Sequence, residues 1–525
     1  ARRTYYDLII KATDEDASSY PSFTDFQSLL YFQPNPKHEW LVTLMGCDEG
    51  TDLSEEDEKV EGADPDQFDV TDDQKNIIAG LNGSHLFTDN MRWSYTLSFT
   101  QNEQISDILF TEGETAYDTH FDQNLISDNA RISSQFEWYN EWHAFIAGVE
   151  YTDSDSEVEF NIDTDDPGTE IPDDLLNFKE RQSYKKYGGF IQDTWEFTPG
   201  LEWKAGVRWD KSTLSDMSEW SPRTSLRWKA TDRWAFKAAW GHYYQFPSYE
   251  SLQGDGYFLD LRGIKELKLR PEKATHYMLS AEYENPSGWT LEFDAYYKDL
   301  EDLIASGKED ETVLILNDDG STSYYTRDDL TWDPENNRNG YARGVDLTLK
   351  VHDQPDRPFY GMLTYTFCQA KSKKDGEPYI WESWDRRHSL TWVAGWKINE
   401  RWELGWKWRV ASGFPYTPVT NVLRVVDDLD GDGVYEPEDG ESFSWQRDEP
   451  DSVKRAERLP VYHRLDVRVQ YSKQYSWFDA VYYLDVINVY ANKNIQGYDY
   501  NADFSERYDE EGMPIVPSFG MKIRF

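Results

Sequence analysis

A chain of 525 residues with 53 Lys plus Arg against 99 Asp plus Glu carries a formal charge of -46, a balance that repels phosphates and argues against a nucleic-acid partner. Aromatic residues make up 16%, yet mean hydropathy is -0.81. No run approaches the roughly 18 to 20 apolar residues of a spanning helix, so a helical membrane protein is excluded; a transmembrane barrel is not, because only alternate residues of a roughly ten-residue strand face lipid.

In chain order, Thr4–Ile10 reads as the first strand, and no charged segment followed by an apolar core precedes it, so no secretory signal is visible. Reading on for alternation predicts about twenty strands. Their connections alternate in length. Tight turns are predicted at Pro34-Asn35-Pro36, Thr88-Asp89-Asn90, Asn140-Glu141, Pro199-Gly200, Thr231-Asp232, Asn285 to Gly288, Asn399-Glu400 and Lys473-Gln474. Between them lie long segments near 105 to 123, 161 to 182, 247 to 271, 304 to 337 and 414 to 460. Acidic stretches at Asp48–Asp73, Asp153–Asp174 and Asp427–Asp451 read as solvated loops whose charge suits cations. Short turns at one rim and long loops at the other are the asymmetry of outer-membrane barrels.

The strands carry the matching face pattern. Trp402, Leu404, Trp406, Trp408 and Val410 oppose Glu403, Gly405, Lys407 and Arg409. Leu465, Val467, Val469 and Tyr471 oppose Arg464, Asp466, Arg468 and Gln470, and Phe519, Met521, Ile523 and Phe525 alternate with polar residues to the terminus. A soluble sandwich or propeller alternates too, but strands of ten or more residues, aromatics near strand ends and a terminal Phe favour the membrane barrel. Two distant cysteines, Cys47 and Cys368, read as unpaired thiols.

Several stretches together resemble the barrel of TonB-dependent outer-membrane receptors. They are Tyr187–Trp195, Gly206–Asp210, Ser221-Pro222-Arg223, Leu269–Tyr277, Tyr296–Ile304, Asn339–Asp346, Asp385–Leu390, Ser412–Thr417 and Arg458–Asp466, in the family's order. The resemblance implies a 22-stranded plugged barrel, of which residues 1–525 form a single barrel domain of about twenty strands. It implies that a plug domain, its TonB box and the first strands precede this stretch or come from a second chain that completes the barrel. It also implies uptake of a scarce ligand (a siderophore, cobalamin, oligosaccharide or peptide) across a Gram-negative outer membrane. The partners would be outer-membrane lipid, an extracellular small ligand and the TonB complex through the plug. A receptor-like structural barrel without transport and a passive porin remain alternatives that share the same wall.

Asp428, Asp430 and Asp432 with Gly433 match positions 1, 3, 5 and 6 of a calcium loop. Val434 would offer its carbonyl, Glu436 would reach the ion directly or through water, and Asp439 stands where an EF-hand prefers Glu. No helices flank it, so calcium would sit in a long extracellular loop; an acidic turn held by Asx hydrogen bonds is the plainer alternative. Nine histidines form no HxxxH pair, and no nucleophile motif, Walker loop or cysteine cluster is present, so neither an enzyme nor a catalytic cofactor is expected. Loop aromatics Tyr243, Tyr244, Phe246, Tyr249, Tyr257, Phe258, Trp332, Tyr379, Trp381 and Trp384 could stack on a sugar or a flat chelate, with Tyr249, Tyr257, Trp332 and Trp381 as ligand candidates, or pack on one another to close the rim.

Overall fold

The structure is a computed structural model and describes residues 2–3, 19–56, 67–112, 117–164, 177–248, 252, 268–427, 433–436, 441–450, 452–501 and 503–524. It is all-β and antiparallel, with a 23-stranded sheet and two two-stranded ones. The tight turns form where side chains replace ladder partners. Asn140 Oδ1 accepts the Trp142 and His143 amides at 2.8 and 2.7 Å, and Asn399 Oδ1 accepts those of Arg401 and Trp402 at 2.9 and 3.0 Å. Gly200 and Gly288 take φ of +88° and +78°, the left-handed region open to glycine. Lys473 and Gln474 are still strand; the reversal follows at 475–478.

Two compact units divide the chain. The first comprises Ala1–Trp195, Lys204–Pro222 and Phe246–Pro271. Within it, strands Ser19–Asn35, His38–Glu56, Gln67–Thr88, Met91–Glu112, Tyr117–Tyr139, His143–Thr164 and Asn177–Thr198 pair as successive antiparallel neighbours. The second comprises Glu196–Trp203, Arg223–Gln245 and Glu272–Phe525. There Trp234–Gln245, Glu272–Asn285, Trp289–Leu316, Thr322–Val351 and Phe359–Lys374 pair in succession, then His388–Lys397, Trp402–Ala411, Tyr462–Gln474, Asp479–Ile487 and Val516–Arg524.

Register carries the predicted faces across strands. Trp392 stands opposite Trp408, and Trp408 opposite Leu465. One residue along, Thr391, Arg409 and Arg464 make the polar row. Large apolar side chains are exposed: Val149 at 64%, Trp477 at 70%, Phe519 at 74%. The fully buried side chains are mostly small or polar, including Ser154, Ser156, Ser212, Ser372, Asp385 and Asn488. That inverts a soluble core and is the distribution of a wall whose solvent on one side is lipid.

The long loops need correction. Much of what the sequence presents as loop is strand: the ladders run to Glu56 and resume at Gln67, run to Glu112 and resume at Tyr117, and run to Thr164 and resume at Asn177. The segment 304–337 is two strand ends joined at a turn, since Trp289–Leu316 has 28 residues and Thr322–Val351 has 30. At roughly 3.3 Å per residue and a tilt of about 40°, the first rises about 70 Å, well past an apolar band of about 25 Å. Beyond the lipid both faces meet water, so apolar alternation ends while backbone pairing continues. The segment 414–460 carries short strands as well, Val422–Asp427 with Ser442–Arg447 and Pro415–Tyr416 with Glu457–Arg458. Most of 247–271 and the strand expected at Thr4–Ile10 lie outside the described residues.

Candidate functional site

Among the described aromatic candidates, Trp381 is the one that several cations surround. It pairs with Lys371 at the upper end of Phe359–Lys374, and Lys371 Nζ sits 3.9 Å from its ring centroid. The Arg387 and Arg458 guanidinium carbons lie 4.1 and 5.4 Å from the same ring. Arg455 Nη1 donates to the Trp381 carbonyl at 3.0 Å and to Glu382 Oε2 at 3.3 Å. Three cations thus gather at one indole and a fourth at its backbone carbonyl, an arrangement that a negative ring face supports only in part.

Asp385 organises this cluster. It is fully buried, accepts the Ala370 amide at 2.7 Å and pairs with Arg458, whose Nη1 also reaches the Asp385 and Gly413 carbonyls at 2.8 and 3.1 Å. The chain passes so closely here that a Cβ on Gly413 would stand 1.9 Å from the Leu459 carbonyl oxygen, hence glycine.

Arg386 and Arg387 are left short of acceptors. Arg386 stacks on Phe414 at 3.9 Å and Tyr462 at 4.9 Å. Its Nε and Nη1, and the Nε and Nη2 of Arg387, are buried without a hydrogen-bond partner among the described residues. Burial, and after it the Arg409 charge, lowers the Arg386 pKa from its ordinary value. Buried guanidinium donors without acceptors cost on the order of 1 to 3 kcal/mol each, and a planar carboxylate or phosphate would satisfy them in pairs. In a chain of net charge -46, this is a local concentration of positive charge, lined with aromatic faces.

The other predicted residues disperse. Tyr249 and Tyr257 lie outside the described residues, as does the side chain of Trp332, whose backbone belongs to Thr322–Val351. Tyr243 stacks between His276, centroids 4.3 Å apart, and the Arg223 guanidinium at 4.2 Å. Trp384 and Tyr379 are exposed, Tyr379 edge-on to Tyr341. In the calcium loop, Asp428, Asp430, Asp432 and Asp439 lie outside the described residues, whereas Val434 and Glu436 lie within them. Gly433 has φ of +79°, its carbonyl accepts the Thr322 hydroxyl at 2.6 Å, and the Glu436 amide donates to Glu441 at 2.7 Å. Cys47 and Cys368 are both free thiols.

Sequence reading missed His120. Its Nε2 lies 3.0 Å from Asp107 Oδ1 and 3.5 Å from Asp122 Oδ1, and the Asp107 hydrogen bond raises its pKa. The three are joined across two strands, so no local spacing announces them. A hollow of about 850 Å³ in the second unit is lined by Leu226, Ala238, Trp240, Tyr277, Leu279 and their neighbours; it lies among exposed apolar side chains and suits an acyl chain better than a polar ligand.

A family model described as TonB dependent receptor-like, beta-barrel, matches residues 13–492. No curated protein matches. Among solved structures, the chain is similar to the ferric citrate transporter FecA in its unliganded form, at 12% identity with a TM-score of 0.63, covering 97% of this chain and 71% of that one. The outer membrane transporter YddB from Escherichia coli gives 10% identity, a TM-score of 0.58 and coverage of 96% and 75%. The ferripyoverdine receptor of Pseudomonas aeruginosa bound to ferripyoverdine gives 12%, 0.62, and 96% and 65%. At such identities the likeness is one of fold.

Proposed function

Because the chain belongs to the TonB-dependent receptor-like β-barrel family, we propose that it is the barrel of a receptor in a Gram-negative outer membrane that imports a scarce extracellular ligand. The inner-membrane TonB complex energises this import through a plug domain. The family match across residues 13–492 carries the reading. The ligand is an anionic chelate of the siderophore class: the unpaired donors of Arg386 and Arg387 suit carboxylate or phosphate oxygens, and Trp381, Phe414 and Tyr462 offer flat faces. Two of the similar structures are named for ferric citrate and ferripyoverdine, in keeping with that choice. Neutral oligosaccharides would leave the guanidinium groups unsatisfied.

The calcium loop is part of the proposal. Positive φ at Gly433 is what position 6 of such a loop requires, and an ion there would stiffen the segment 428–439. The wall is assigned binding and passage, with no catalytic role.

The test is uptake of labelled ferric chelates by cells expressing the protein, with and without a working TonB complex. Energised uptake that falls at least about tenfold on Arg386→Ala with Arg387→Ala is expected. Uptake independent of TonB, or steady ion conductance of the purified protein in planar bilayers, would overturn the reading in favour of a porin.

A further inference from the structure

We infer that Asp107, His120 and Asp122 form a binding site for a divalent transition-metal ion of the zinc class, on the hairpin Met91–Glu112 with Tyr117–Tyr139. The hairpin pairs without a register shift from Met91 opposite Trp138 to Glu112 opposite Tyr117. That continuity puts Asp107 directly opposite Asp122, and His120 two residues before Asp122 on the same face. One ligand atom from each of the three lies within 4.8 Å of the others, near enough for one ion to replace the His120 contacts with bonds of about 2.0 to 2.2 Å after small side-chain rotations.

The donor set selects the ion. Calcium and magnesium take oxygen ligands, whereas an imidazole nitrogen with two carboxylates suits zinc, cobalt or nickel. A further donor stands next on the same face: Asn124 Oδ1 is buried and has no hydrogen-bond partner among the described residues. A metal-bound water donating to that carbonyl would satisfy it and complete four-coordination. Across the next strand, Asp163 faces His120 and Asn161 faces Asp122, so the surroundings remain negative and favour a cation.

The site lies beyond the lipid. Leu97 and Phe99, exposed on the same face as Asp107, mark the apolar part of the strand, and Asp107 follows Phe99 by eight residues, roughly 26 Å along the chain. The metal therefore clamps two polar strand ends in the external medium. It shares no residue with the proposed calcium loop and is independent of what the receptor imports.

The test uses the purified full chain in detergent, stripped with chelator and titrated with Zn²⁺ by calorimetry. About one equivalent should bind, with affinity falling at least about tenfold in His120→Ala and in Asp122→Asn, and unchanged in Asp430→Ala. Excess Ca²⁺ should not displace it. The cobalt-loaded protein should show a ligand-field spectrum that His120→Ala removes, and retained heat-modifiable mobility on gels separates loss of the site from loss of the fold. Absent Zn²⁺ binding, or binding that both variants leave intact, would overturn the assignment.

Discussion

Two regions of this molecule extend past the lipid by different means. Between Gln67 and Thr198, strands of 22 or 23 residues carry the backbone ladder past the lipid, held by the ladder, by surface pairs and by small buried side chains such as Ser127, Ser154 and Ser156. Lys179, for instance, reaches Glu157 at 2.7 Å and Glu159 at 2.8 Å from a half-exposed position. Between His388 and Ile487, the four wall strands His388–Lys397, Trp402–Ala411, Tyr462–Gln474 and Asp479–Ile487 have only 9 to 13 residues, and what lies beyond them is packed. Asp385 is buried against Arg458. Asn488, fully buried with φ of +52°, donates to the carbonyls of Asn492 and Met513 at 3.0 and 3.1 Å. In the first region stability is spread over many equivalent hydrogen bonds; in the second it is concentrated in a few groups that tolerate no change.

The sharpest way to break the contrast is Gly413→Ala. With the Leu459 carbonyl 1.9 Å from the new Cβ, the cost should exceed about 3 kcal/mol, read as loss of the heat-modifiable folded band. Next is Asp385→Ala, which leaves Arg458 without its buried partner and should cost about 3 to 5 kcal/mol, measured by thermal unfolding in detergent. A paired test follows on one strand. Phe99→Arg should cost about 2 to 4 kcal/mol in lipid, whereas Ile105→Arg, on the same face above it, should cost under about 0.5 kcal/mol. Equal costs at the two positions would mean that the apolar band has been misplaced. The smallest effect is expected for Lys179→Ala, which should move the melting temperature by no more than about 1 °C; a large drop would show that the long strands, too, depend on single contacts.

The same contrast explains what the sequence disclosed. Trp402 to Val410 could be read because lipid demands a greasy residue at every second position, and the register puts each where alternation predicted. Asn140 and Asn399 announced their turns because their side chains close them. The strand ends at 105–112 and 117–123 could not be read: with water on both faces nothing constrains the pattern, and an acidic strand looks like a loop. Trp381 was legible as an exposed-loop aromatic, but its cations come from Lys371, Arg387, Arg455 and Arg458, up to 87 positions apart in the numbering. His120 was hidden for the same reason, since its partner Asp107 comes from another strand.

The turn at the top of Trp289–Leu316 and Thr322–Val351 has a consequence for surface labelling. It closes through the Asn317 amide on the Ser321 carbonyl at 2.8 Å, and around Gly320 a Cβ would meet nothing within 4 Å. The tip is bare at Gly320 alone, for Arg424 still reaches Asp318 at 3.0 Å and Thr322 donates to the Gly433 carbonyl. An epitope tag placed between Asp319 and Gly320 should therefore be displayed on intact cells without disturbing the register of the strands beneath.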